Sequence, residues 1–353
     1  MPTLQQAKER LDSIINKGRV DLYKPIQIAE VLRRARLHQD IDILNQKSYQ
    51  NPSLRWRDTV SKQLLGKICT SSARFQHDLW NETAMSTEYL TLLDQENRKH
   101  HGIVEAYIYA RFQERQGTVT NLINYITHTS AQQFELPKLL ELFLTEAGIR
   151  RSIDKAYEIV TYALFETIVT ALETTITINI PPHKHLMLAS FEDLTQVLLG
   201  LNTQKSTWQD FAHIYRVGVT NAADRGLDMW ANFGPAIQVK HLTLDSSLAH
   251  SIVDQVESDH IVIVCKEADA KVITAITQQI TWGQRVRGIV TETNLIEWYE
   301  RCLRGTFSQE LAQPLLEHLR SGFNAEFPQT HAVVDFLAER AYPALSNTTL
   351  WYI

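Results

Sequence analysis

Asp224-Arg-Gly-Leu-Asp-Met-Trp-Ala-Asn-Phe-Gly-Pro-Ala-Ile-Gln-Val-Lys-His241 sets the frame for the whole chain. An acid, Asp228, precedes a turn signal, Asn232-Phe-Gly-Pro235, and Gln238-Val-Lys240 returns at hairpin distance. With the turn centred near Phe233–Gly234, Asp228 is expected across from Val239 or Lys240. Gln238 and Lys240 are two apart, so they project to one face of their strand. One sheet face is therefore expected to present Asp228, Gln238 and Lys240 together at the strand ends. Their neighbours are apolar, and desolvating two charges without a purpose is costly.

On both sides of this hairpin the chain alternates between helix and strand periods. Ala156 to Leu172 reads as a strongly apolar helix, and Thr175-Ile-Thr-Ile-Asn-Ile180 has the period of a strand closed by Pro181-Pro182. A helix from Phe191 to Leu199 follows. Beyond the hairpin, Ile261-Val-Ile-Val264 is a fully apolar run of the kind found in a central strand. A helix across Ala268–Ile280, a strand at Arg287–Val290 and a helix at Asn294–Leu303 complete an α/β pattern.

The N-terminal part is helical in pattern. Leu4, Leu11, Ile14 and Ile15 form a helix-period stripe that ends near Gly18, and Pro25 suits the first turn of a second helix. Further helices are expected around Trp56–Ile68 and Leu90–Arg98. The stretch from Gly102 to Phe112 fits helix or strand, with helix preferred. The expected division is a helical region over 1–145, an α/β core over 146–310 and a helical extension over 311–353.

The chain has 353 residues, 44% of them hydrophobic and 21% charged, as an ordinary soluble globular protein does. Its net charge of −5 argues against a generally cationic nucleic-acid binder but leaves a local basic face open. Lysines and arginines are dense in the first 60 residues, a pointer to an anionic partner. Cys69, Cys265 and Cys302 form no CxxC pair, so neither a disulfide framework nor a cysteine zinc site is suggested, and a reducing cytoplasm fits. The start of the chain has no apolar signal core. The longest apolar run, Tyr157 to Ile180, is broken by Glu158, Glu166 and Glu173, so no membrane span is expected. Neither GxxxxGK[ST] nor GxGxxG occurs, which removes the usual grounds for a nucleotide cofactor.

An acid and a lysine on one sheet face suit metal-assisted phosphodiester hydrolysis. A cation would neutralise the scissile phosphate and acidify a water, with carboxylate and carbonyl oxygens as its ligands. Asp228 is the expected metal ligand with the Val239 carbonyl beside it, and Lys240 would orient the attacking water. Gln238 holds the place where a second carboxylate is most useful, so another acid is expected to compensate. Glu158 is the first candidate and Asp224 its rival. Other motifs carry less. His183 and His185 form an HxH pair without a third ligand, and His100-His101 is explained by exposed helix-end polarity. His241 should face away from Lys240, while Ser71, Ser72 and the cysteines lack a base partner.

The chain resembles HaeII-like type II restriction endonucleases within the PD-(D/E)xK nuclease superfamily. The resemblance lies in Leu22-Tyr-Lys-Pro-Ile-Gln-Ile-Ala-Glu30, Thr70-Ser-Ser-Ala-Arg-Phe-Gln76, Gly102-Ile-Val-Glu-Ala-Tyr-Ile-Tyr109, the hairpin, and Arg287 to Trp298. It implies a mixed central sheet flanked by helices and a Mg²⁺-dependent enzyme cutting double-stranded DNA at a short GC-centred palindrome. It implies a homodimer too, since a two-fold site matches a two-fold protein. Asp228 becomes the signature acid and Lys240 the signature lysine; Leu227 replaces the signature proline, and Gln238 the usual Asp or Glu. Arg33, Arg34, Arg36, Arg55, Arg57 and Arg74 are the expected DNA-contacting side chains, arginine being the best reader of guanine. Two rival functions stand beside this one. The first is a structure-directed or repair nuclease of the same fold; the second is a DNA-binding protein left inactive by Gln238.

Overall fold

A capping box opens the first helix. The Gln6 N–H donates to the Thr3 hydroxyl, and the Thr3 N–H donates back to the Gln6 side chain. The helix that follows, α1 (Leu4–Lys17), buries Ala7, Leu11, Ile14 and Ile15 along one stripe. A computed structural model describes residues 2–68, 78–146, 148–217, 227–278, 285–327, 332–346 and 350–352. Two compact units emerge, one from residues 1–157 and 319–353, the other from residues 158–217 and 224–318.

The first unit is helical: α2 (Tyr23–Leu37), α3 (Pro52–Leu65), α4 (Thr87–Lys99), α5 (Ile103–His128) and α6 (Leu136–Thr145) follow α1. Its core gathers Leu11, Ile28, Leu32, Val104, Ile108, Phe112 and Trp351. The ambiguous stretch after Gly102 is helical. Side chains all round its first turns are buried, which hides the one-sided stripe of a surface helix. Buried charges here are paired. Arg36 makes two hydrogen bonds to the buried Glu105, at 2.9 and 3.0 Å, and Arg340 and the Tyr109 hydroxyl both donate to Glu30. Arg115 donates to the carbonyls of Ile15, Gly18 and Arg19, filling the acceptors that the end of α1 leaves open.

Within α7 (Ile153–Ala171) the chain passes into the second unit. There β1 (Thr175–Asn179), α8 (His185–Ser190), α9 (Glu192–Leu199) and β2 (Thr207–Phe211) precede β3 (Ile214–Arg216), β4 (Met229–Ala231), β5 (Ala236–Leu244), α10 (Ser246–Gln255), β6 (Ile261–Ala268), α11 (Ala270–Thr277), β7 (Val286–Thr291) and α12 (Glu292–Arg304). The chain returns to the first unit along α13 (Ser308–Glu326), and α14 (Ala332–Arg340) lies there. The main sheet is mixed, in the order β3-β4-β5-β6-β7: antiparallel from β3 to β5, parallel from β5 to β7 through α10 and α11. The expected strand at 175–180 stays outside it, pairing with β2 in a separate two-stranded sheet.

Each face of the main sheet has its own cover. Ala236, Ile261, Ile263, Cys265 and Val286 pack with Ala249, Ile252 and Val253 of α10 and Val272 of α11. Ile237 and Val262 face the other way, lining with Leu164 and Trp298 an apolar cavity of about 750 Å³. Arg285 donates to the carbonyls of Val253, Val256 and Ser258 and so fixes the approach to β6. No helix among the described residues is long and apolar enough to cross a membrane.

Candidate active site

The hairpin forms, with its register set by the turn. Gly234 donates to the Ala231 carbonyl at 3.0 Å and Ala231 to the Pro235 carbonyl at 2.9 Å, leaving a loop of Asn232, Phe233 and Gly234. Gly234 has φ +117°, which glycine alone adopts readily. Met229 pairs with Ile237 and Trp230 with Ala236. Continuing that register sets Asp228 opposite Gln238, one or two residues short of the expected partners Val239 and Lys240. The reason is the odd loop, which centres the turn on Phe233 and not between Phe233 and Gly234.

That register brings the acid and the amide into contact. Gln238 Nε2 and the Val239 N–H, the latter at 2.8 Å, both donate to Asp228 Oδ2. Gln238 is 2% exposed, and its Oε1 is buried with no hydrogen-bond partner. Lys240, half-buried, lies two residues along the same strand and on the same face as Gln238. Regular pairing of β5 with β6 runs to Lys240 and shifts register before Thr243. Irregularities of this kind are frequent beside active sites.

Other expected residues fall elsewhere. Glu158 is buried on α7, but among the described residues no three His, Cys, Asp or Glu side chains converge into a group able to hold a metal. Asp224, Arg74, Ser71, Ser72 and Cys69 lie outside the described residues. Cys265 and Cys302 are buried, and burial pushes the Cys265 thiol up to about 11, so neither is poised as a nucleophile. The Pro182–Lys184 turn leads directly into α8.

The arginines divide by what they touch. Arg57 is 1% exposed and spends its guanidinium on Asp58 and Gln27. Arg36 is committed to Glu105. Arg34 is held by Asp40, whose hydrogen bond raises the guanidinium above its usual range, and it lies over the Trp56 ring. Arg55 is exposed and Arg33 half-buried.

Two aromatic residues near the acid are not marked by the hairpin motif. Tyr215 and Trp230 stack at 4.5 Å between ring centroids, and both are substantially exposed. They are paired across β3 and β4, and Trp230 shares the face of Asp228 two residues before it. Aromatic residues at outward strand positions beside the acid were the available signal. In the sequence Glu166 shows only as an interruption of an apolar run. It accepts the Ile214 N–H at 2.7 Å and lies 3.0 Å from His213 Nδ1, anchoring the start of β3.

The family profile described as HaeII restriction endonuclease matches residues 7–342. The chain belongs to the HaeII restriction endonuclease family. It is 46% identical to the type II restriction enzyme HaeII of Haemophilus aegyptius over 336 residues, 95% of each chain. With the type II restriction enzyme NgoBI of Neisseria gonorrhoeae it shares 46% identity over 341 residues, 96% of this chain and 97% of that one. No solved structure matches at a significant level. As a member of the HaeII family the chain is a type II restriction endonuclease, a site-specific deoxyribonuclease.

Proposed function

We propose that Asp228, Gln238 and Lys240 form a hydrolytic centre of the PD-(D/E)xK type, which cuts double-stranded DNA at a short, GC-centred palindrome with Mg²⁺ as cofactor. The observation that carries this reading is the contact between Asp228 and Gln238 beside Lys240, with the amide oxygen buried and unpartnered. A buried acceptor without a donor is costly, and a cation satisfies it.

The donor set suits a hard cation that keeps much of its water, as Mg²⁺ does with one or two carboxylates. Asp228, Gln238 Oε1 and the Val239 carbonyl would hold it, with Glu158 or Asp224 as the supplementary acid. Bound there, it supplies charge neutralisation of the phosphate and a more acidic water. The rest is the chain's own work. Gln238 Nε2 and the Val239 N–H fix the orientation of the Asp228 carboxylate. Lys240 orients the attacking water and stabilises the charge that develops on the phosphoryl oxygens. Of the described candidates, Arg33 and Arg55 are the ones assigned to DNA, since Arg34, Arg36 and Arg57 are engaged by Asp40, Glu105 and Asp58 within the helical fold.

Incubating the purified chain with plasmid DNA and Mg²⁺, then sequencing the ends, tests the proposal. Discrete fragments with one terminal sequence support it. Asp228→Ala and Lys240→Ala should each abolish or nearly abolish cutting while DNA binding persists. Normal cutting by either variant would sink the site assignment. Cleavage only at flaps or free ends would favour the repair-nuclease alternative.

A further inference from the structure

We propose that the segment from residue 172 to 211, inserted between α7 and β3, is the surface through which two copies of this chain pair. Local hydrogen bonds tie the segment together. Glu192 accepts from the Thr203 N–H and hydroxyl at 2.9 and 2.7 Å, and the Trp208 indole donates to the Leu199 carbonyl at 2.6 Å. Yet of its residues only Leu188 and Leu201 are buried. Its sheet has two strands, an arrangement only marginally stable alone.

Its apolar side chains point outward. On α9, Leu194, Val197 and Leu198 recur at i, i+3 and i+4, the spacing of a helix face that normally meets a core. Here Val197 is 87% exposed and Leu198 71%; Leu186 on α8 reaches 88%, and Phe191 and Phe211 are more than half exposed. Scattered exposed leucines need no explanation, but six such residues within one small substructure do. At roughly 100 Å² of removable surface apiece they supply most of the ~800 Å² that each partner gives to a standard interface.

The chemistry of the surface selects its occupant. Lys184 and Lys205 are outnumbered by Glu173, Glu192, Asp193 and Asp210, so the segment is unsuited to a DNA backbone. An apolar helical stripe packs well against its own copy about a two-fold axis, where one patch serves both partners. The second copy is the partner that cutting both strands of a palindrome calls for, and in this respect the inference rests on the proposed function.

Sedimentation equilibrium on the full-length chain tests it. The wild type should sediment at twice its 40.5 kDa at micromolar concentration. The double variant Val197→Glu with Leu198→Glu should be monomeric, with unchanged far-ultraviolet dichroism and a dimer Kd raised on the order of 100-fold or more. Val197→Cys, which leaves the fold intact, should cross-link to its copy on mild oxidation when the wild type does not. That variant decides the matter if the glutamates impair folding. A monomeric wild type, a glutamate variant that stays dimeric, or Val197→Cys that fails to cross-link would overturn the proposal. So would a monomer that instead co-floats with phosphatidylcholine vesicles. Asp228→Ala should remain dimeric. A dimer that never cuts DNA would refute the hydrolytic reading alone, and a monomer that cuts both strands would refute this one alone.

Discussion

At the residue scale Gln238 carries the most consequence. Its Nε2 donates to Asp228 Oδ2, and its Oε1 is a buried acceptor without a donor. Gln238→Glu would replace that donor with a carboxylate against a carboxylate, and like charges so placed disfavour both being ionised. The variant is expected to melt several degrees below the wild type in EDTA. With Mg²⁺ it should recover more stability than the wild type does, because a ligand that binds only the folded chain stabilises it. Scanning calorimetry with and without Mg²⁺ measures this, and equal metal responses would remove Gln238 from the cation site. Trp230→Ala should weaken DNA binding by about 1–3 kcal/mol if its exposed ring stacks on a base, with little effect on the melting temperature. Fluorescence anisotropy with Ca²⁺ in place of Mg²⁺ checks that. That Asp228 and Lys240 fall on one sheet face was legible because charged residues inside an apolar hairpin are conspicuous. Arg57 was not, since burial against Gln27 and Asp58 depends on how α2 and α3 pack.

Among the elements, the hairpin turn fixes which side chains meet. A register slip of one residue would move Gln238 and Lys240 to the other face of the sheet. Gly234, at φ +117°, sits in the turn that sets this register. Gly234→Ala should lower stability by about 1–2 kcal/mol, the usual penalty of left-handed backbone for a residue with a Cβ. Cleavage should fall further than stability explains, as the contact between Asp228 and Gln238 loosens. Urea melts and plasmid cleavage on one preparation separate the two effects, and a variant that cuts at the wild-type rate would show the register is held elsewhere. Long helices and the apolar β6 were readable in advance because period and composition are local properties. The pairing of β1 with β2 was not, being a choice between distant segments that no local pattern encodes. Nor was the exact opposition of Asp228 and Gln238, which hung on whether the loop held an odd or even number of residues.

For the whole molecule, among the described residues the chain passes between its two units inside α7 and inside α13, so helix periodicity runs through these two crossings and offers no mark in the sequence. The described residues of the second unit hold the Asp228–Gln238–Lys240 hairpin and the outward-facing apolar segment. A palindromic site has two scissile bonds related by two-fold symmetry, and one centre meets only one of them at a time. On the proposed reading of a palindromic substrate, cutting both in a single encounter calls for two chains. Initial rates should rise with the square of protein concentration while monomer predominates, then become linear once dimer does. At high concentration a plasmid with one site should pass from supercoiled to linear without accumulating nicked circles. The double variant at Val197 and Leu198 should extend the squared regime to higher concentration and release nicked intermediates, although its hairpin is untouched. A linear dependence throughout, with nicked circles at every concentration, would mean that single chains cut one strand at a time.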